Sequence, residues 1–253
     1  MNIKKHIPNA ITCGNLFCGC IAIVAALKGN LIMTAYLVGI AAVFDFLDGF
    51  AARLLKVGGE MGKQLDSLAD MVTFGVVPGI VLFQLMSAST ILNGKPTLLL
   101  ANDIGSYWLL LSFLITIFSA IRLAKFNIDT RQTNSFIGVP TPANTILICS
   151  IPLINHFQAN VGGFNILAIT HNVYFLIVLT LIMSYLLIAE LPLFALKFKN
   201  FGWADNKIRY SFLIISVILL ILFQFIAIPF IIFLYIVLSI INNMINKTKT
   251  LEH

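Results

Sequence analysis

Apolar residues run along this chain in blocks of about twenty, broken by short segments bearing charges, glycine or proline, and they rarely alternate with the period of a strand. About 17–25 apolar residues suffice for a helix to cross a bilayer. Reading the blocks between charges and turn formers predicts eight helices, at about 10–27, 31–54, 66–92, 105–126, 141–157, 173–196, 209–226 and 229–245. Only a few residues around Pro229 separate the last two, which read as a tight hairpin or one kinked element. The expected fold is an all-α integral membrane protein with about eight transmembrane helices, a six-helix core and a C-terminal helical hairpin.

Composition sharpens that picture. Of 253 residues, 59% are hydrophobic and 10% charged, against about 25% charged in a soluble domain, and the mean hydropathy is +0.98. No stretch is left over for a soluble domain. Residues 1–250 read as a single transmembrane domain, with a core at about 8–197 and additional helices at about 209–245, while 251–253 resemble the start of an expression tag. The first apolar run is followed by further spans, so it reads as a retained helix and not a cleaved signal. Cys13, Cys18, Cys20 and Cys149 lack paired metal-site spacing and read as small buried hydrophobes.

The net charge of +6 implies no nucleic-acid partner, because the basic residues do not cluster and no nucleic-acid motif is present. They read as topology instead. With the N-terminus inside, 14 of the 16 Lys and Arg fall in cytoplasmic segments and only Lys28 and Lys95 fall outside. One missed helix would invert every later loop. The chain is therefore expected in the cell (inner or plasma) membrane as a multi-pass protein with both termini cytoplasmic.

Against this apolar background, four of the ten acidic residues (Asp45, Asp48, Asp66 and Asp70) fall within 26 positions. A carboxylate at the centre of a spanning helix costs on the order of 2.5–3.5 kcal/mol, so four together need a compensating charge, and divalent cations are the natural candidate. Asp45 and Asp70 each lie eight residues from the intervening loop, or about 12 Å along a helix. Asp45 and Asp48 are i, i+3 and Asp66 and Asp70 are i, i+4, so the two pairs can face each other across an antiparallel hairpin. Gly49 and Ala52, beside them, suit either close helix packing or a slot for a ligand, and Arg53 adds a cationic fork suited to phosphate. A divalent-cation transporter could use the same carboxylates, but no internal repeat is evident and both pairs lie towards one side.

The series Asp45-x2-Asp48-Gly49-x2-Ala52-Arg53-x8-Gly62-x3-Asp66-x3-Asp70 resembles, at every specified position, the signature of the CDP-alcohol phosphatidyltransferase family. The resemblance implies two divalent metal ions, Mg2+ or Mn2+, on Asp45, Asp48, Asp66 and Asp70. It implies nucleotide or phosphate contacts at Gly49, Ala52, Arg53 and Gly62, and a second, catalytic role for Asp70 as base. The implied donor is CDP-diacylglycerol, drawn from the membrane lipids, with the active site facing the cytoplasm.

Two further blocks, Pro8 to Gly19 and Arg122-Leu123-Ala124-Lys125-Phe126-Asn127 with Phe136 to Pro142, resemble the branch of that family whose acceptor is serine. Lys125 replaces an arginine usual there. Arg122, Lys125 and Arg131 become candidate contacts to the acceptor or a phosphate, although positive-inside anchoring accounts for all three as well. Glycerol 3-phosphate or inositol phosphate is the alternative acceptor. Glu190 is a functional candidate by position, or a partner of Lys197 or Arg209. Gly75-x3-Gly79 offers a packing surface for a neighbouring helix or a homodimer partner, and Pro78 within it a kink.

Overall fold

The computed structural model describes residues 6–92, 104–129, 135–161, 163–194 and 202–251. Helices α1 (His6–Leu27) and α2 (Leu31–Leu54) form an antiparallel hairpin. Its turn uses Gly29 at φ 76° and Asn30, whose side chain accepts the Met33 N–H at 3.0 Å. After Gly59, α3 (Glu60–Asp70) begins a turn and a half before the expected residue 66 and passes without a break through a π-helical segment, Met71–Val76, into α4 (Val77–Leu92).

Pro78 accounts for an irregularity there. It lacks the N–H that would bind the Phe74 carbonyl, and the Thr145 hydroxyl takes that carbonyl at 2.8 Å. The kink expected at Pro78 takes the form of the wide π turn just before it. Gly75 and Gly79 pack within the chain. A Cβ at Gly79 would lie 2.4 Å from Thr116 Oγ1, and one at Gly75 would lie 3.0 Å from Met71 Sδ. With Ser119 Cβ 3.4 Å from the Gly75 Cβ position, the glycine pair seats the next helix of the same molecule.

That next element starts as a 3-10 helix (Ile104–Phe113) and continues as α5 (Leu114–Ile128). The short strand β1 (Ser135–Ile137) leads to α6 (Thr141–Phe157), which enters on Pro140 and Pro142, and the pair β2 (Asn160–Val161) and β3 (Phe164–Asn165) follows. After the single turn α7 (Leu167–Thr170), α8 (Val173–Ile188) starts on Asn172, whose side chain caps Tyr174 and Phe175. It stops eight residues before the expected end. Pro192 cannot continue it, and Pro192–Phe194 instead forms β4, antiparallel to β1.

The last helices, α9 (Trp203–Phe223) and α10 (Ala227–Leu251), fold back on each other, with the Phe212 and Tyr235 rings 5.6 Å apart. The expected hairpin is present, but its turn lies before Pro229, at Gln224 with φ 49°. Gln158 holds that turn, donating to the Phe223 carbonyl at 2.9 Å and accepting from Ile226 N at 3.0 Å. On its other face α10 grips β4: Tyr235 donates to the Phe194 carbonyl at 2.9 Å, Ser239 accepts from Phe194 N at 3.4 Å, and Asn243 reaches the Pro192 carbonyl.

Among the described residues, five helical stretches are long and apolar enough to cross a membrane: His6–Leu27, Leu31–Leu54, Glu60–Ser89, Tyr107–Ile128 and Asn206–Asn243. The last contains the α9–α10 fold-back. Val173–Ile188 is shorter and apolar. Phe74, Leu82, Met86, Ile115, Ile148 and Leu176 fill the interior. Phe17, Ile40, Phe46, Phe50 and Leu54 are exposed, the inverse of a soluble surface and the arrangement of helices that face lipid. Cys18 and Cys149 are buried, whereas Cys13 and Cys20 lie on the exposed face of α1, so burial describes only two of the four.

Candidate active site

The end of α2 and the start of α3 bring three of the four aspartates together. One ligand oxygen from each of Asp45, Asp48 and Asp66 lies within 4.8 Å of the others. Asp66 Oδ1 is buried with no hydrogen-bond partner among the described residues. Like charges gathered this closely in a partly buried site repel unless a cation or protons intervene, and three carboxylates are a donor set that could hold a hard divalent ion. Asp70, one turn deeper on α3, feels the charges of Asp45, Asp66 and Asp48 but stands outside that tight group.

Helix α1 supplies the outer layer. Thr12, buried, donates to Asp48 Oδ2 at 2.6 Å, and the Asn15 amide donates to Asp70 Oδ1 at 3.2 Å. Such partners fix the orientation of a carboxylate. The close approach of α1 depends on Gly19, where a Cβ would fall 2.3 Å from Thr73 Oγ1, and the Thr73 hydroxyl donates to the Asn15 carbonyl at 3.3 Å. The π turn that carries Thr73 directly follows Asp70.

A cavity of about 900 Å³ opens beside the carboxylates, lined by Asp48, Gly49, Ala52, Gly62 and Asp66 together with Thr12 and Lys63. A Cβ on Gly49 would meet nothing within 4 Å. Among the described residues no helix packs on Gly49, which leaves open space beside it. Gly62 sits closer to α1, its Cβ position 3.2 Å from Asn9 Oδ1. Arg53 is exposed and does not line this cavity.

A second cavity, of about 320 Å³, shares no lining residue with the first. Arg122, Lys125 and Asp129 at the end of α5 line it, together with Ile137, Leu187 and Glu190. Arg122 is 7% exposed, lies over the Phe126 ring at 5.9 Å and feels the charges of Asp70 and Tyr235. Asn127 anchors the end of α5 to α3, donating to Ser67 Oγ at 2.8 Å while its carbonyl accepts from Lys63 Nζ at 2.7 Å. Arg131 lies outside the described residues, as do Lys95 and Lys197. Glu190 is exposed in the connection between α8 and β4, on the cavity that Arg122 and Lys125 share.

Thr12 and Asn15 lie in the Pro8 to Gly19 block that resembles the serine branch, but neither was given a role at the aspartates. A signal for that role is polar side chains at i, i+3 in an otherwise apolar span, which places both on one face of α1.

This arrangement, carboxylates from two antiparallel helices beneath an open glycine-lined cavity in an all-helical membrane protein, accords with the comparisons. The model of the CDP-alcohol phosphatidyltransferase family matches residues 5–178, and the chain belongs to that family. Among curated relatives, it is 33% identical over 198 residues to the CDP-diacylglycerol--serine O-phosphatidyltransferase of Bacillus subtilis, covering 78% of this chain and 92% of the relative. The protein of the same name in Helicobacter pylori is 34% identical over 151 residues, covering 59% of this chain and 58% of the relative. The archaetidylserine synthase of Methanothermobacter thermautotrophicus is 28% identical over 178 residues, covering 67% and 70%. The matched region thus spans little more than half the length of the Helicobacter pylori relative.

Proposed function

We propose that this protein transfers a phosphatidyl group from CDP-diacylglycerol to the hydroxyl of L-serine, giving phosphatidylserine and CMP. The observation that carries the reading is the convergence of Asp45, Asp48 and Asp66 on one point beside the glycine-lined cavity. The names of the three relatives support serine as the acceptor class. The buried, unpartnered oxygen of Asp66 and the mutual repulsion of the carboxylates fit a bound cation. When bound, two divalent ions, Mg2+ or Mn2+, on the four aspartates would neutralise the donor's diphosphate and stabilise the attacking and leaving oxygens.

The chain's own residues do the rest. Gly49, Ala52 and Gly62 leave room for the nucleotide in the larger cavity, and the exposed Arg53, next to Ala52 on α2 but off the cavity wall, is the nearby cation for a phosphate that projects from it. The exposed apolar face of α2, with Phe46 stacked on Phe50, meets lipid, so the donor's acyl chains can stay in the bilayer while its head reaches the carboxylates. Asp70, held by Asn15 and outside the tightest carboxylate group, takes the proton of the serine hydroxyl. The serine oxygen bonds to the phosphatidyl phosphorus, the bond from that phosphorus to the CMP oxygen breaks, and CMP leaves to the cytoplasm. Positioning and charge neutralisation supply most of the rate in such a transfer. Arg122 and Lys125, with Arg131, are the cations available to the acceptor. The basic residues at the same end of the helices favour a cytoplasmic active site in the cell membrane.

Purified protein incubated with CDP-diacylglycerol, Mg2+ or Mn2+ and each alcohol in turn tests the reading. CMP release with serine is expected. Release with glycerol 3-phosphate or inositol phosphate and none with serine would replace the acceptor, and metal flux in liposomes without nucleotide binding would overturn the enzyme.

A further inference from the structure

We infer that the smaller cavity is a subsite for a zwitterion and that Glu190 is its specificity-determining residue, meeting the ammonium of a free amino acid whose carboxylate faces Arg122 and Lys125. This rests on the proposed transfer to serine and names how that acceptor is told from others.

Two cations and two carboxylic acids, Arg122, Lys125, Asp129 and Glu190, line one space of about 320 Å³. Arg122 is buried, and its Nε has no hydrogen-bond partner among the described residues. A buried guanidinium N–H without an acceptor is costly, and a ligand carboxylate supplies the matching acceptor.

Glu190 is held where it can read the other end. The Gly138 N–H donates to the Leu191 carbonyl at 3.0 Å and the Val139 N–H to the Leu186 carbonyl at 2.9 Å, bracketing Glu190 between two fixed points. Gly138 permits that approach through its φ of 75°, for a Cβ there would lie 2.5 Å from the Leu187 carbonyl oxygen. The β1–β4 pairing secures the same rim. A dianionic acceptor such as a sugar or glycerol phosphate would face two acids in this space, whereas an amino acid presents one charge of each sign and leaves the balance intact. Discrimination arises as much from that repulsion as from the attraction.

The test is Glu190→Gln in the full-length protein. The KM for L-serine should rise about tenfold, the loss expected for one hydrogen bond between charged groups at an exposed position. The kcat and the KM for CDP-diacylglycerol should stay near wild type, and Glu190→Asp should recover part of the loss. 3-Hydroxypropionate, which is serine without its ammonium, should be used equally poorly by wild type and by Glu190→Gln. An unchanged serine KM, or a joint fall of kcat and donor affinity, would overturn the assignment.

Binding of L-alanine, a zwitterion with no hydroxyl to react, separates this proposal from the reaction itself. A tenfold weaker affinity in Glu190→Gln supports the subsite even if serine releases no CMP, and equal affinity overturns the subsite even if serine is a substrate.

Discussion

Replacing Thr12 by Val removes a hydroxyl at nearly constant volume and leaves the apolar face of α1 otherwise as it is. The lost contact is the 2.6 Å hydrogen bond to Asp48 Oδ2, in a position where Thr12 is 3% exposed. Water has little access to take its place. A hydrogen bond to a charged acceptor contributes about 1.5–3 kcal/mol, and about 1.4 kcal/mol is a factor of ten. Thr12→Val should therefore raise the concentration of Mg2+ or Mn2+ giving half-maximal CMP release by roughly 10- to 100-fold, the range typical of residues that orient metal ligands. At saturating metal the kcat should recover to within a few-fold of wild type. The assay is a metal titration of CMP release from CDP-diacylglycerol in detergent micelles, paired with calorimetric metal binding in the absence of substrate. Superimposable titrations would refute the idea that Thr12 orients Asp48 for a cation; a lowered kcat at an unmoved midpoint would shift its role to the substrate.

Asp48→Ala and Asp66→Ala each remove an oxygen from the three-carboxylate group and should lower metal-dependent turnover by more than about 100-fold, beyond the effect of an orienting neighbour; near-normal CMP release from either would count against a metal site. Gly49→Leu fills open space beside the aspartates and should raise the KM for CDP-diacylglycerol about tenfold or more, equivalent to about 1.4 kcal/mol, with the thermal midpoint of the detergent-solubilised protein little changed. An unaltered donor KM would show that nothing enters there. Thr145→Val strips the Phe74 carbonyl of the partner that Pro78 obliges it to find, and should destabilise the fold by about 1–3 kcal/mol. Thermal unfolding in detergent measures this, and an unchanged midpoint would mean that the carbonyl finds another donor.

Periodicity sufficed for the spans whose ends are marked by their own residues: Gly29 and Asn30 close the first hairpin, and the charges after Leu54 end α2. Counting along two helices joined by a short loop put Asp45 level with Asp70, whereas the oxygens that converge are those of Asp45, Asp48 and Asp66. What remained hidden depends on partners distant in sequence. The turn between α9 and α10 forms at Gln224, 66 residues after the Gln158 that holds it, so Pro229 was the only visible signal and it pointed a few residues too late. Residues 192–194 form a strand because 135–137 offers an edge; Pro192 marks a local end to the helix, but nothing local says that a strand follows. Glycines 75 and 79 carry a pattern that fits any close helix contact, and Thr116 decided which one. Thr12 and Asn15 stood in a block that resembles the serine branch, but their contacts to Asp48 and Asp70 depend on how α1 packs against α2 and α3.

The grip of α10 on β4 sets an order of assembly. Tyr235, Ser239 and Asn243 recur every fourth residue on one face of the final helix and fasten a rim built from residues 135–139 and 186–194. These three lie beyond residues 5–178, the part matched to the family. During synthesis the aspartates emerge early, but the wall that carries Glu190 is clasped only when the last span has been made. A chain without α10 would keep the sequence of its acids but would leave the rim of the smaller chamber without these three contacts.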